Sequence, residues 1–437
     1  MSASLFDNLL QRKTQDILDA CTACGRCVEV CPMTPSVDID GLPASAVAAG
    51  VLSLLQGGCN DAAMRWASAC SGSGTCIDAC PEAVNPRLML TLARSTFRGR
   101  DAQGARRLGV SRFNRMARSI RVLSRLLLPP DLIGKIDSSV WNDSDPTPPD
   151  IVFYTGCNLL KTPHIALICL DVMDALDVSY AVAGGPSHCC GIVHFGAGDI
   201  ATGLRVGGNT QRKLARFGSD VVAWCPACHA QHTEVNRLSG SESSDLAMQS
   251  FIVYLADRIE ELRPLMTIRI DRRVAVHEHT GVSGVEQAIQ TILGAVPGLE
   301  LVTLDRPQAG LMCVTIEDSP KFKRDMHENI LTEASNAGVD TLVGVYHACH
   351  RDLCAHERDW PFEVVNIMEI IGSAMGITRQ DQFKRLKLMQ DVAAVVEDRR
   401  EAIAYYDMDI DEVWAVVAEE LIGEQSFALR QVAVAPV

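Results

Sequence analysis

The sequence predicts an α/β protein headed by a helical, cysteine-rich domain. Three observations carry that expectation. Eight cysteines crowd into residues 1–100, two apolar runs of strand character open similar blocks about 120 residues apart, and residues 380–437 keep helical spacing without a chemical motif. At 437 residues the chain has material for several domains, taking roughly 100–200 residues for each. A hydrophobic fraction of 47% with 22% charged residues excludes a disordered chain. Forty Lys+Arg against 54 Asp+Glu, a formal net charge of −14, argue against a protein built to neutralise nucleic-acid phosphates. Seventeen cysteines cannot pair completely among themselves, which puts metal or redox chemistry first.

Residues 1–20 mix acids and bases and do not read as a secretory signal. No window approaches the ~20 uninterrupted apolar residues of a membrane span. The nearest, residues 165–183, carries Asp171, Asp174 and Asp177. The expected setting is the cytoplasm, where thiols stay reduced and available as ligands, with peripheral attachment to a membrane-bound partner left open.

Taken in order, residues 1–110 read as the cysteine-rich domain and residues 111–150 as a basic helix and linker. Between 94 and 125 ten arginines face one acid, Asp101, and the stretch ends in Leu126-Leu127-Leu128 before Pro129-Pro130. It is expected to form a helix on which Arg112, Arg115, Arg118 and Arg121 make one stripe. That stripe is either a solvated face or a docking surface for an acidic partner or anionic lipid. The polar, proline-rich residues 138–150 mark the linker.

Ile151-Val152-Phe153-Tyr154 then opens a repeat over 151–265, and Val274-Ala275-Val276-His277 opens a second over 270–378. A shift of 123 residues sets Cys157 on Thr280, Cys189 on Met312 and Cys190 on Cys313. With a shift of 121, Cys225-Pro-Ala-Cys228-His229 falls on Tyr346-His-Ala-Cys349-His350. Residues 380–437 form a helical, acidic tail.

Cys21-x2-Cys24-x2-Cys27-x3-Cys31-Pro32 is the run of bacterial ferredoxins, in which three close thiolates hold three corners of one cubane and the fourth reaches a second cluster. A closed zinc site uses two separated pairs and suits this single run poorly. The companion run, Cys70-x5-Cys76-x3-Cys80-Pro81, has Ser73 where the second cysteine would fall. Crossed ligation assigns Cys21, Cys24, Cys27 and Cys80 to a complete 4Fe-4S cluster. The other cluster takes Cys31, Cys70 and Cys76 and is one thiolate short. It is 3Fe-4S, or 4Fe-4S completed by Ser73, solvent or Cys59; otherwise Cys59 is read as a small buried hydrophobe.

The first long repeat carries Cys157-x31-Cys189-Cys190-Gly191-x33-Cys225-x2-Cys228. These residues resemble the CCG domain of heterodisulfide reductases, whose catalytic subunits use five such cysteines to hold an unusual noncubane iron–sulfur cluster. With the ferredoxin-like run in front, residues 15–360 look like the form in which relay and CCG subunits are fused. The iron–sulfur subunits of glycolate oxidase and anaerobic glycerol-3-phosphate dehydrogenase share that plan. The resemblance implies duplicated α/β CCG repeats behind a bacterial-ferredoxin-like two-cluster domain, one noncubane 4Fe-4S cluster on Cys157, Cys189, Cys190, Cys225 and Cys228, and reaction at Cys189 and Cys190 with His229 close by. His188, His194 and His232 could serve as hydrogen-bond or proton donors, or simply as structural histidines.

The second repeat keeps only Cys313 and Cys349 of the five positions. The family is understood to split heterodisulfides between two facing noncubane clusters, so a single cluster implies another substrate or a pure relay. Cys313, Cys349 and Cys354, with His277, His279, His347 or His350, form either a zinc site or a reduced cluster, or are relic thiols packed between the repeats. The chain lacks a phosphate-binding loop and a G-x-G-x-x-G turn, so FAD is expected only on a flavoprotein partner.

Two functions follow. In the first, an iron–sulfur subunit moves electrons between a flavoprotein and the noncubane cluster, where a disulfide, thiol or related sulfur substrate reacts. In the second, the subunit wires an FAD-dependent hydroxyacid or amine dehydrogenase to quinone or another carrier and has no substrate of its own. A structural or sensory iron–sulfur protein is a more distant third.

Overall fold

The computed structural model describes residues 3–136, 148–235, 246–304 and 309–429. Most of the expected linker, residues 138–147, lies outside the described residues.

Two four-stranded parallel sheets form the body of the molecule. The first contains β1 (Ile151–Gly156), β2 (Tyr180–Gly184), β3 (Asp220–Ala223) and β4 (Met248–Ser250), in the order β2-β1-β3-β4. The second contains β5 (Arg273–His277), β6 (Glu300–Val302), β7 (Thr341–Gly344) and β8 (Glu363–Asn366), in the order β6-β5-β7-β8. The identical order bears out the duplication. β1 is buried at every position because helices cover both faces of a parallel sheet, which is why its sequence is a continuous apolar run rather than an alternating one. Its register sets Val152 between Ala181 and Val221. In each sheet the chain leaves the central strand to one side and crosses back to the other, making a switch point at the carboxyl ends of the strands.

The repeats share one hydrophobic core. Trp224, just after β3, lies 5.9 Å from Phe251 and 6.5 Å from Tyr346 of the second repeat, and its Nε1 donates to His347 Nδ1 at 3.2 Å.

The N-terminal domain is helical around its cysteines. Helix Ala44–Leu55 buries Val47, Val51 and Leu54, and Trp66 of helix Asp61–Ser68 is fully enclosed in the same core. Asn60 and Asn85 cap their helices through Ala63 N and Leu88 N. Two short turns, Arg26–Glu29 and Thr75–Asp78, open on Gly25 and Gly74 at φ 86° and 79°. At Gly25 a Cβ would come within 2.6 Å of the Ala44 backbone, so only glycine lets the cysteine loop pack there.

The arginine-rich stretch is two helices rather than one. Pro86–Arg98 ends at Gly99, and Asp101, its one acid, accepts from Gly104 N to cap a new helix, Ala102–Leu127. The predicted arginine stripe is neither a bare solvated face nor free for a partner along its length. Arg115 meets Glu420, Arg118 meets Glu419, and Arg121 bonds Glu412 at 2.5 Å. The acidic tail therefore lies on this helix, and their apolar faces, Val122, Leu123, Leu126 and Leu127 against Val413, Val416, Val417 and Leu421, join a core with Ala275 and Leu342 of the second sheet. Among the described residues no helix is long and apolar enough to cross a membrane.

Candidate metal centres

The carboxyl ends of β1, β2 and β3 deliver the five cysteines of the first repeat to one place. Cys157 follows β1 directly. Cys189 and Cys190 follow β2 after the turn Pro186–His188, and Cys225 caps the helix Pro226–Ala230 that carries Cys228. Their sulfurs are neighbours in series, Cys157 beside Cys189, Cys189 beside Cys190, Cys190 beside Cys228 and Cys228 beside Cys225, close enough to shift one another's ionisation. All five are buried, none more than 5% exposed. Gly156, at φ 70°, makes the space: a Cβ there would sit 2.9 Å from Cys225 Cβ and 3.1 Å from Cys228 Sγ.

Hydrogen bonds from neighbouring thiols decide the charges. Bonds from Cys157 and Cys190 hold Cys189 well below the ordinary thiol range, and a bond from Cys228 lowers Cys225. Cys157, Cys190 and Cys228 are raised, first by hydrogen bonding to a neighbouring thiol and further by burial. Five soft sulfurs in an enclosed space fit an iron–sulfur group better than a hard cation.

His194 and His232 are the histidines whose protonation responds to Cys189. Burial lowers both, His232 to about 4, while negative charge on Cys189 opposes the shift. His229 instead sets Nε2 on the Met248 carbonyl of β4 at 3.1 Å, and His188 places Nδ1 3.1 Å from the Gly184 carbonyl. Tyr154 escaped the reading of β1 as plain core. Its phenol is raised by burial and by the nearby sulfurs of Cys228, Cys190, Cys157 and Cys189, and it donates to the His188 carbonyl at 2.7 Å. No sequence signal separates such a tyrosine from an ordinary buried one.

The cysteines of the N-terminal domain fall into two neighbourhoods. Cys21, Cys24, Cys27 and Cys80 line one small cavity. Burial pushes the Cys27 thiol up to about 12, reinforced by Cys21 and Cys24. Cys31, Cys70 and Cys76 form the second group, in which burial raises Cys70 and Cys76 while Arg94 pulls Cys70 back. Arg94 Nε is buried without an acceptor among the described residues, a donor that cluster sulfides would satisfy. Ser73 Oγ accepts from Gly310 N at 3.0 Å and is hydrogen-bonded to Ser71 Oγ at 3.0 Å, so it is already engaged by backbone of the second repeat. Cys59 is exposed and its Sγ faces Arg100 Nη1 at 2.8 Å, which corrects the expectation of a buried thiol. A charged neighbour outweighed its tendency to pack as a hydrophobe.

Arg87 joins the N-terminal domain to both repeats. It pairs with Glu234 and donates to the Gly72 and Gly281 carbonyls at 2.9 and 2.6 Å. On the same helix, Ser95 and Arg98 donate to the Phe195 and Gly196 carbonyls, just past Cys189 and Cys190.

In the second repeat Cys313 and Cys349 meet His277 and His279. Cys354 is placed apart from them, with its thiol raised by burial and influenced by Lys387 and Asp381. His350 bonds Asp381 at 2.6 Å, and His347 takes the bond from Trp224.

Comparison with known proteins bears on two of the cysteine-rich segments. The sequence pattern of a 4Fe-4S binding domain matches residues 15–33, and that of a cysteine-rich domain, CCG, matches residues 151–232. The chain is 22% identical over 416 residues to a subunit of the dihydromethanophenazine:CoB–CoM heterodisulfide reductase of Methanosarcina acetivorans, covering 83% of this chain and 95% of that one. The corresponding protein of Methanosarcina mazei is 22% identical over 410 residues, 82% of this chain and 94% of the relative. A subunit of the fumarate reductase (CoM/CoB) of Methanothermobacter marburgensis is 23% identical over 321 residues, 70% of this chain and 61% of the relative. The chain is thus an iron–sulfur protein that joins a 4Fe-4S binding domain to a cysteine-rich CCG domain and resembles a heterodisulfide reductase subunit over most of its length.

Proposed function

We propose that this chain is the iron–sulfur subunit of a multi-subunit oxidoreductase resembling heterodisulfide reductase. It passes electrons between a flavoprotein partner and the five-cysteine centre of the first repeat, where a disulfide, thiol or related sulfur substrate reacts. The observation that carries this reading is the meeting of Cys157, Cys189, Cys190, Cys225 and Cys228 at the ends of three adjacent strands.

When bound, the iron–sulfur groups supply one-electron transfer, and hydride chemistry falls to the partner's organic cofactor. Cys21, Cys24, Cys27 and Cys80 would hold a 4Fe-4S cluster. Cys31, Cys70 and Cys76 would hold a three-iron cluster, since Ser73 is committed to Gly310. The helix Pro86–Arg98 and Arg87 clamp this domain against the loop after Cys190 and against Glu234, fixing the separation of the centres. Around the five-cysteine centre Tyr154 and the enclosing core exclude water. His194 and His232, kept neutral at pH 7 by burial, lie within electrostatic reach of Cys189, whose negative charge favours their protonated forms.

Titration of the anaerobically purified, oxidised protein with candidate thiols tests the reading. A paramagnetic signal that depends on the thiol and vanishes in Cys189→Ser is the expected result. A signal indifferent to every thiol supports the second reading, a relay between an FAD-dependent hydroxyacid or amine dehydrogenase and quinone or another carrier. That reading draws on the enclosure of all five sulfurs, each no more than 5% exposed.

A further inference from the structure

A second group of soft donors lies at the same strand ends of the second repeat, independent of the electron path proposed above. His277 is the last residue of β5 and His279 follows two positions later. Cys313 opens the 3-10 turn after β6, and Cys349 lies in the first turn of helix His347–Leu353 after β7. One ligand atom from each of the four lies within 4.8 Å of all the others. His277 Nε2 is 3.1 Å from Cys313 Sγ, and His279 Nε2 is 3.2 Å from Cys349 Sγ and 3.6 Å from Cys313 Sγ. Bond lengths of about 2.3 Å to sulfur and 2.0–2.1 Å to nitrogen give a zinc tetrahedron edges of roughly 3.3–3.8 Å, so these separations need little adjustment.

We infer that the second repeat holds one zinc ion on His277, His279, Cys313 and Cys349, a closed Cys2His2 site that replaces an iron–sulfur cluster in this repeat. Three features select zinc. The ligand set is two thiols and two imidazoles, and two thiolates balance the charge of a divalent ion in an enclosed space. A cubane would want four thiolates, and three of the five positions that hold cysteine in the first repeat are Thr280, Met312 and Tyr346 here. The surroundings also orient one of the imidazoles as metal sites require. His279 Nδ1 donates to the Ala309 carbonyl at 2.6 Å, leaving Nε2 as the lone pair.

Cys313 also has an outer partner, His327, whose Nε2 is 3.1 Å from the sulfur and whose Nδ1 is 2.6 Å from Ser426 Oγ. A competing grouping of Cys313, His327 and Asp352 has three members only, and its carboxylate already pairs with Lys323 at 2.8 Å. His327 therefore serves as a hydrogen-bond donor to the ligating sulfur. All four ligands are buried and none of the tetrahedral positions is left for substrate, so the ion is structural and redox-silent.

Metal analysis and zinc X-ray absorption of the full-length, anaerobically purified chain test the inference. Expected are about one zinc per chain and a first shell of two sulfurs near 2.3 Å and two nitrogens near 2.0–2.1 Å. Zinc should be lost in His277→Ala and Cys349→Ser and kept in Cys354→Ser, with iron content unchanged in all three. Wild-type protein without zinc, a sulfur-only shell, zinc retained in both ligand variants, or loss of iron in place of zinc would each overturn it. If the variants fail to fold, the wild-type absorption spectrum alone decides. Failure of the thiol titration leaves these outcomes untouched.

Discussion

Gly156 ties backbone conformation to the chemistry of the five-cysteine centre. Its φ of 70°, and the approach of Cys225 Cβ to 2.9 Å of the point where a methyl group would stand, leave no room for a side chain. Gly156→Ala is expected to lower stability by about 1–3 kcal/mol and to reduce bound iron, while signals of the N-terminal clusters persist. Urea unfolding and iron analysis of the same preparation check both. His356 makes a different case: it is buried, stacked on Phe427 at 4.3 Å, and neither ring nitrogen has a hydrogen-bond partner among the described residues. Burial lowers its pKa from 6.5 to about 4. Since the folded value lies below the unfolded one, its neutral form contributes full stability above pH 6.5. That contribution erodes as pH falls toward 4, by at most about 3 kcal/mol. His356→Phe is expected to flatten the loss of stability between pH 7 and pH 4, read from denaturant midpoints. An unchanged profile would show that His356 does not drive acid sensitivity.

The helices that meet the acidic tail separate buried from exposed ion pairs. Glu420 bonds buried Lys161 at 2.8 Å and Arg115 at 3.1 Å, whereas Glu412 meets Arg121 at a half-exposed surface. Glu420→Ala strands a buried ammonium and is expected to cost about 3–5 kcal/mol. Glu412→Ala should cost less than about 1 kcal/mol, and chemical denaturation of the two variants gives the comparison. Equal effects would mean that the tail is held by its apolar face alone. The basic stretch is visible in the sequence as charge, and Asp101 as its single acid. That the acid is a helix cap and that the arginines face a tail some 300 positions away are long-range facts that spacing does not carry. Similarly, single histidines have no periodicity to read. The sequence favours His229 over His194 and His232, whereas the sheet places its ring on the Met248 carbonyl.

Across the whole molecule, what was legible came from repetition and ligand chemistry. The crossed cysteine runs and the 120-residue period survive as spacing because each thiol must reach a common point from a different loop. The two identical strand orders follow from that period. The second repeat, read as a damaged copy, offered three cysteines and four histidines as candidates; which of them meet depends on the fold, which brings His277 and His279 at the end of β5 to Cys313 and Cys349 and leaves Cys354 apart. The clamp of Arg87 on Glu234, Gly72 and Gly281 was equally invisible, since it joins residues far apart in the chain.

Most depends on Cys157, Cys189, Cys190, Cys225 and Cys228 surrounding one iron–sulfur core distinct from two N-terminal clusters. Iron and acid-labile sulfide analysis of wild-type protein and Cys189→Ser, paired with paramagnetic resonance of the reduced proteins, decides this. About eleven irons per wild-type chain and about seven in the variant are expected, with the resonances of the N-terminal clusters unchanged. Equal iron in the two proteins, or a loss confined to the N-terminal resonances, would rule such a core out.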